Sequence, residues 1–584
     1  MQSVKILVNN TAKSENVRKA IFVFIVAVFY VRISFMLYHQ TLDSWWTYDD
    51  PHILGGIMFN DPLDFFWRPS VYQQLSVVNF TPMLALSYAV DYSLFGFSAK
   101  GFYVHQIILI GLVATGIFLL VRRWRLWAAV WAGLFFLVSS PVAIGSHILM
   151  VRHYFEGGLW ALMSILLFFS TDRLGWKIWL AALVYLAAML SKEVYIPLVI
   201  AIIFFCPGNV KRRLRKSAPF ILALFIYIVW RTLMIQRFGG YGELWKIDSI
   251  LALIQGVQTL LSLLVPPTTR HPVTAISLML LTGGLFGYLC FKRQGGTVLA
   301  GCVLLAVSAV GTLIPVWGSL EGSDIRFSFR LGIAVTILGS IATGYFLSNA
   351  PFLLRGENKR RAFSVVSGII VFSGLIFLWH ENLNHRFSYW PLFNKAALEN
   401  RYSYFENPST TLVSGTSSID FGHLARIRKK LKNEAAPASC SEPFDFRNIA
   451  GMRYFQFLPE TKMFQDITES FRNKLREFQG EIRECGLFAV NMEFGRGKYN
   501  IEIDPQFTKT QYWLLKGDKS NVYQSNKCLP KVSGQLLCSS LPIFLRVLKQ
   551  TEDGRYILSP EWVVDLKKEY MIRWAMDCEP PLSK

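Results

Sequence analysis

The sequence predicts an α-helical protein that crosses a membrane many times and ends in a soluble domain of mixed α/β structure. Of its 584 residues, 52% are hydrophobic and only 17% are charged. The apolar residues fall in long runs through the first 380 residues. A bilayer core about 30 Å thick needs about 20 apolar residues per helix. This pattern excludes an ordinary soluble enzyme.

About eleven runs have the length of a membrane span. They lie near residues 20–38, 103–121, 126–144, 156–170, 178–190, 195–206, 218–236, 273–291, 297–317, 330–348 and 362–380. The short runs 178–190 and 195–206 predict either a tight helical hairpin or one interrupted span. Two further apolar stretches, 79–97 and 249–265, are predicted to lie on the outer membrane surface, because inserting either one alone would move the later basic loops outside.

Basic residues cluster in alternate loops, for example between Lys211 and Lys216 and between Arg355 and Arg361. The positive-inside rule therefore predicts a cytoplasmic amino terminus. With eleven spans, the carboxyl terminus lies outside. The net charge of +21 is explained by membrane anchoring and gives no reason to expect a nucleic-acid partner.

The composition changes near residue 382, so we predict a transmembrane domain over 1–381, with an outer loop at 39–102, and an extracytoplasmic domain over 382–584. A helix is expected near 467–484 and a strand at Tyr499–Ile503, where apolar and polar residues alternate. Cys528 and Cys538 are the closest cysteine pair in this domain, and an oxidising compartment would allow a disulfide. The cysteine spacing shows no paired CxxC metal pattern.

The first outer loop contains two adjacent carboxylates, Asp49 and Asp50, followed by Pro51 and His52. A carboxylate near the membrane surface can act as a general base on an acceptor hydroxyl. The neighbouring charge and partial burial would raise its pKa, and His52 could hydrogen-bond substrate. The alternative is a helix start, with Asp50 as N-cap and Pro51 at the first helical position. Both interpretations can hold at once.

Several segments in chain order resemble integral-membrane glycosyltransferases of the GT-C class. They are Asp49–His52, Trp67–Ser70, Ala89–Gly96, Gly101–His105, Ser140–Pro141 with His147 and Arg152, Leu190–Glu193 and Asp324–Phe327. The resemblance is closest to the protein O-mannosyltransferases and to the transmembrane-and-tetratricopeptide mannosyltransferases, and all the segments lie on the predicted outer side. The chain differs in lacking the repeats, in having Asp-Asp where Asp-Glu is usual, and in Asp324 where Glu is commoner.

The resemblance implies a GT-C-like fold and a polyprenyl-phosphate-linked sugar donor, with inversion at the anomeric carbon. It makes Asp49 the first choice for the catalytic base and Asp50 the second. Arginine suits the leaving phosphate, so Arg326 and Arg330 are the first candidates for the donor phosphate. Lys192 is the next candidate, and Arg231 is a further one.

Each remaining candidate for substrate binding has a structural alternative. Arg152 and His153 could contact substrate or lie at a solvated loop end. Glu193 could line the site or pair with Lys192. Arg68 could contact substrate, stack on Trp67 or pair with an acid of its own loop. For Arg330 and Arg231, the alternative is snorkelling to lipid head groups.

The sequence therefore predicts a hexosyltransferase of the cell envelope. The alternatives are a flippase or transporter of lipid-linked glycans, or an O-antigen ligase or polymerase. The expected partners are the polyprenyl-phosphate sugar, membrane lipid and an acceptor protein or glycan. No cofactor is required, although a divalent cation could take part. Short inner loops favour a bacterial inner membrane.

Overall fold

A computed structural model divides the chain into two compact units, Met1–Asn394 and Lys395–Lys584, which are described separately. The predicted domain boundary, after residue 381, lies outside the described residues. The described residues of the first unit are 2–76, 78–170, 175–205, 210–236, 325–349, 358, 362, 366, 369, 373, 374, 376 and 389–394. Those of the second are 395–405, 411–413, 418–434, 439–440, 453–458, 461, 463–483, 488–495, 498–503, 511–517, 523–528, 531–535, 543–551, 555–564 and 570–576.

The described part of the first unit is helical. Its helices are α1 (Gln2–Tyr38), α2 (Asp50–Phe59), α3 (Asp64–Trp67), α4 (Pro69–Leu75), α5 (Pro82–Phe95), α6 (Ala99–Val121), α7 (Leu126–Leu137), α8 (Ser140–Ser146), α9 (Arg152–Phe168), α10 (Trp176–Ser191), α11 (Leu198–Phe205), α12 (Val210–Ile235) and α13 (Ile325–Asn349). Short 3₁₀ turns occupy His39–Asp43, Leu149–Val151 and Glu193–Tyr195. Helix α14 (Tyr389–Phe405) crosses the division between the units.

Three segments of the described chain are long and apolar enough to cross a membrane: Val17–Asp43, Ala99–Val121 and Val210–Ile235. Shorter apolar helices lie at Leu126–Leu137, Trp176–Ser191 and Gly332–Tyr345. The prediction of a mostly helical region with apolar helices is confirmed. The predicted spans 273–291 and 297–317, and the surface stretch 249–265, lie outside the described residues, as does most of 362–380.

Helix α6 is central to the first unit and packs against α1, α7 and α9. Gly111 permits a close approach to α1, because an added Cβ would lie only 2.6 Å from Val31 Cα. The Ser34 hydroxyl of α1 donates to Ile107 O of α6 at 2.9 Å. Small residues and interhelical hydrogen bonds are typical of helix packing within membranes.

Two ambiguous stretches of the sequence have a defined structure. The stretch 79–97 contains the 14-residue helix α5, which is shorter than a membrane span requires. The runs 178–190 and 195–206 form two helices, α10 and α11, separated by the turn at Glu193–Tyr195. Lys192 has an extended backbone, with φ −157° and ψ 134°, and therefore ends α10.

The described part of the second unit combines helices α15 (Ser418–Lys432) and α16 (Thr468–Glu481) with β-strands. The strands are β1 (Thr411–Val413), β2 (Ser439–Cys440), β3 (Tyr454–Leu458), β4 (Met463–Asp466), β5 (Ile482–Arg483), β6 (Phe488–Gly495), β7 (Lys498–Ile503), β8 (Gln511–Gly517), β9 (Tyr523–Cys528), β10 (Lys531–Gln535), β11 (Ile543–Gln550), β12 (Tyr556–Leu558), β13 (Trp562–Val564) and β14 (Tyr570–Met576). The predicted helix and strand of this region are confirmed as α16 and β7.

These strands form three sheets. Their orders are β2-β1-β3-β4, β10-β7-β6-β14 and β5-β12-β11-β8-β9, with β13 also paired to β11. In the first sheet β1 runs parallel to both β2 and β3, whereas the second sheet is antiparallel. Val490, Ile501, Tyr512 and Val547 belong to one buried core of this unit. The mixed α/β prediction is therefore confirmed for the described residues.

Candidate active site

The adjacent carboxylates Asp49 and Asp50 have different surroundings. Asp50 is the first residue of α2 and is 0% exposed. Its Oδ2 accepts from the Thr47 backbone N–H at 2.9 Å, and its Oδ1 accepts from the Tyr88 hydroxyl at 2.9 Å. Asp49 occupies the N-cap position and is exposed. The helix thus begins one residue earlier than predicted, because Asp50 turns back towards Thr47 and Asp49 takes the capping position.

The pKa of Asp50 is raised to about 7, chiefly by burial and to a smaller extent by the charge of Asp49. Hydrogen bonds from Thr47 and Tyr88, and the positive charge of Arg152, oppose this rise. Among the described residues, none hydrogen-bonds the Asp49 carboxylate, so this exposed group can meet an incoming hydroxyl.

His52 and Arg68 contact their own loop. The Nε2 atom of His52 lies 2.7 Å from Gln74 O, which links α2 to α4. Arg68 pairs with Asp64 at 3.1 Å, and its side chain is 67% exposed. The alternative of pairing within the loop is therefore confirmed for Arg68. The ring of Trp67 stacks instead on Trp230 of α12, with centroids 4.7 Å apart.

Arg152 begins α9 and is fully buried, so its predicted position at a solvated loop end is wrong. Its guanidinium forms an ion pair with Asp91 of α5 and donates to Phe102 O at 2.7 Å. The guanidinium carbon lies 5.1 Å from the centroid of the Tyr88 ring. His105 Nδ1 lies 2.7 Å from the other oxygen of Asp91. These bonds hold Arg152 within the fold.

His153 is also buried, and its ring centroid lies 4.7 Å from that of Tyr154. A solvated loop end is therefore wrong for His153 as well. Lys192 is buried, with its Nζ 4.9 Å from the Tyr154 ring centroid. A buried lysine close to an aromatic face is stabilised by a cation–π interaction. His153 and Lys192 thus both lie beside Tyr154.

Glu193 and Arg231 form an ion pair, with Glu193 Oε1 2.7 Å from Arg231 Nε. The same oxygen accepts from the Phe80 backbone N–H at 3.0 Å and from the Tyr227 hydroxyl at 3.2 Å. Arg231 also donates to Val78 O at 3.0 Å. The guanidinium of Arg231 is therefore paired with a carboxylate of the Glu193–Tyr195 turn.

Arg326 and Arg330 lie one turn apart near the start of α13, but their side chains are outside the described part of the structure. Further along this helix, Ile333 lies beside Gly145 of α8 and Ile337 beside Gly158 of α9. The helix also contacts the Glu193–Tyr195 turn. The backbone therefore brings α13 to the element that follows Lys192.

Sequence reasoning missed several polar residues of this region: Thr47, Ser87, Tyr88, Asp91, His105 and Glu156. Ser87 accepts from Arg152 at 3.3 Å, and Glu156 is buried on the same helix as Arg152. Asp91 and Glu156 each interrupt an apolar run, and such charges are expensive within a membrane protein unless paired. The charges of Asp91 and Glu156 within apolar runs were therefore the feature of the sequence that could have identified these two residues. No group of three or more His, Cys, Asp or Glu side chains suited to a metal occurs among the described residues.

These features describe a mostly helical unit with several apolar helices and with two adjacent carboxylates at the start of α2. Residues 79–235 match the family model of dolichyl-phosphate-mannose-protein mannosyltransferases. The match covers less than half of the chain and confirms, over those residues, the resemblance to GT-C glycosyltransferases of this kind. No curated protein matches the sequence.

One solved structure similar to the chain is the crystal structure of ArnT from Cupriavidus metallidurans bound to undecaprenyl phosphate. The two share 12% sequence identity, and the similarity covers 74% of this chain and 93% of that one, with a TM-score of 0.41.

Proposed function

We propose that the chain transfers a sugar from a polyprenyl-phosphate-linked donor to an acceptor hydroxyl on the outer face of the membrane. The family match over residues 79–235 supports the class of reaction, since a lipid-phosphate sugar donor is named in the description of that family. The observation that carries the assignment of the base is the contrast between Asp49, which is exposed, and Asp50, which is buried and bonded.

Asp49 acts as the general base in this proposal. As the acceptor oxygen attacks the anomeric carbon, its proton passes to the Asp49 carboxylate. The bond from that carbon to the phosphate oxygen breaks, and the electron pair leaves with the lipid phosphate. A single in-line displacement inverts the configuration, which product stereochemistry measured by NMR would test. Asp50 has both carboxylate oxygens occupied and therefore positions the start of α2.

The leaving phosphate gains negative charge and needs cationic groups near it. We propose Lys192, Arg326 and Arg330 for this role. Two observations support Lys192: burying its charge is costly, and it immediately precedes the Glu193–Tyr195 turn that α13 contacts. Arg231 and Arg152 are left out because Glu193 and Asp91 already hold their guanidinium groups. Dependence on a divalent cation would be measured by chelation with EDTA.

The central experiment compares Asp49→Asn with wild type in a transfer assay over polyprenyl-phosphate donors carrying mannose, glucose, galactose or amino-arabinose. We expect the variant to lose about 10²–10⁴-fold in rate, the usual contribution of a general base. Asp43→Asn is the matched control, because Asp43 is an exposed carboxylate at the end of the 3₁₀ turn His39–Asp43, six residues before Asp49. Full activity of Asp49→Asn would exclude Asp49 as the base.

The orientation is tested separately. We propose a bacterial inner membrane with a cytoplasmic amino terminus and an extracytoplasmic second unit. Labelling of Cys485 with a membrane-impermeant thiol reagent from the outer side would support this orientation. Labelling only from the inner side would contradict it. A flippase remains the alternative class, and it would move lipid-linked sugar across vesicles without forming a glycosidic bond.

A further inference from the structure

We infer that Glu193 and Arg231 form a positioning pair that fixes the outer loop relative to Lys192, and that neither residue binds the donor. The inference rests on the proposed function for its kinetic part and on geometry alone for its structural part. It assigns a role to an ion pair that joins three separate segments of the chain: the loop residues 78–80, the turn after α10, and helix α12.

The pair makes more bonds than an ordinary surface ion pair. Glu193 Oε1 accepts from three donors, namely the Phe80 N–H, the Tyr227 hydroxyl and Arg231 Nε. Arg231 donates from a second nitrogen to Val78 O. The two residues therefore bind the loop backbone on both sides of Asn79. Glu193 accepts from the Phe80 N–H, and Arg231 donates to Val78 O.

The loop held by Glu193 and Arg231 continues into helix α5, which contacts the carboxylate of Asp50. The Thr81 N–H donates to the Tyr72 hydroxyl at 2.6 Å, and helix α5 begins at Pro82. About two turns further along α5, the Tyr88 hydroxyl bonds Asp50. Asp50 in turn fixes the start of α2, next to Asp49. Restraint at residues 78–80 is thus transmitted through one helix to the proposed base.

The other end of the pair leads to Lys192. Lys192 immediately precedes Glu193, and its extended backbone ends α10. Holding the Glu193 carboxylate therefore also sets where the Lys192 side chain leaves the backbone. The pair connects the segment that carries the proposed base with the segment that carries a proposed phosphate ligand.

A phosphate ligand would have a different geometry. A phosphate bound by Arg231 would have to compete with the Glu193 carboxylate, which lies 2.7 Å from Nε and would repel it. The two side chains are 13% and 20% exposed. A half-buried, multiply bonded pair suits fixed positioning, because removing either partner leaves the other with unmet bonds.

The test measures kinetics and amide hydrogen exchange on the full chain in detergent, using Arg231→Met, Arg231→Lys and Glu193→Gln. For Arg231→Met we expect kcat to fall by about 10- to 100-fold, the scale of a displacement of about 1 Å at a site. The KM for the donor should change little. Exchange at the Phe80 and Thr81 amides should rise, and Arg231→Lys should restore part of the loss. Arg215→Met, an exposed arginine on the same helix, is the matched control and should leave kcat and exchange at wild-type values.

Two outcomes would overturn the inference. One is a large rise in donor KM with kcat retained and exchange at Phe80 unchanged, which would identify Arg231 as a donor ligand. The other is wild-type kinetics and exchange in every variant. If the wild-type chain transfers none of the sugars, the proposed function fails, and exchange at Phe80 decides the structural part: an increase in Arg231→Met supports it and no increase refutes it.

Discussion

Two ion pairs hold helix α5 and the loop before it, and they differ in burial. Asp91 and Arg152 have side chains that are 2% and 0% exposed, whereas Glu193 and Arg231 are 20% and 13% exposed. The first pair joins α5 to α9. The second joins the segment just before α5 to α12. One helix is therefore fixed at its start by a half-buried pair and near its end by a fully buried one.

The difference indicates two roles. A buried pair has lost its hydration, and the loss of one partner leaves an uncompensated charge. The Arg152 group also has buried atoms without a hydrogen-bond partner among the described residues, Arg152 Nε and Glu156 Oε2. We interpret this group as structural. The Glu193–Arg231 pair retains access to water. We therefore expect its loss to lower the free energy of unfolding less than loss of the buried pair does, and to change the position of the loop more.

The largest expected effect on stability is for Arg152→Met. This change leaves Asp91 buried without its cationic partner, and we expect the free energy of unfolding in detergent to fall by about 3–5 kcal/mol. Arg68→Met is the matched control, since the Arg68 side chain is 67% exposed and its pair with Asp64 should contribute at most about 1 kcal/mol. Equal effects of the two changes would remove the distinction between buried and exposed pairs.

A smaller effect on stability is expected from Asp50. Its hydrogen-bond partner Tyr88 also contacts Arg152 of the buried pair. Because the pKa of Asp50 is raised in the folded state, the stability that Asp50 contributes is fully present below its unfolded pKa of about 4. This contribution is lost as the pH rises through about 7. Over that interval we expect the free energy of unfolding to fall by about 2–4 kcal/mol on account of Asp50. Measured in detergent as a function of pH, this loss should be absent in Asp50→Asn.

Tyr88→Phe sharpens the same measurement. The Tyr88 hydroxyl lowers the pKa of Asp50, so its removal should move the pH at which stability is lost upward. A curve identical to that of wild type would show that the hydroxyl does not bond Asp50 in solution.

The smallest effect is expected at an exposed pair in the second unit. Asp466 Oδ2 lies 2.5 Å from Arg453, and Oδ1 accepts from the Thr468 N–H at 2.9 Å at the start of α16. These bonds, led by that of the Thr468 hydroxyl, lower the pKa of Asp466 to about 2. Its contribution is present above about pH 4 and is lost as the pH falls through about 2.

For Asp466→Asn, we expect amide exchange at the start of α16 to rise a few-fold, with little change in global stability. Glu469→Gln, which alters another exposed pair of the same helix, is the control. A fall in the global free energy of unfolding as large as that of Arg152→Met would mean that the stabilisation by these ion pairs does not depend on their exposure.

Local patterns in the sequence predict much of this fold. Long apolar runs predict α1, α6 and α12, and the alternation around Tyr499 predicts β7. The importance of the loop carrying Asp49 and Asp50 also follows from their position after the first run. The partners of these residues do not follow, because Tyr88 lies 38 positions from Asp50 and Arg152 lies 61 from Asp91. Burial of Arg152 could not be inferred from its place between an apolar run and a polar turn.

The Glu193–Arg231 pair also has a consequence for biosynthesis. The loop emerges early, yet the bonds that hold it span 113 positions from Phe80 to Glu193 and 153 from Val78 to Arg231. During translation the loop therefore lacks these bonds until Glu193 and Arg231 have both been synthesised. A nascent chain that ends before residue 231 contains Asp49 and Asp50 but lacks the contacts of Arg231 with Val78 and Glu193.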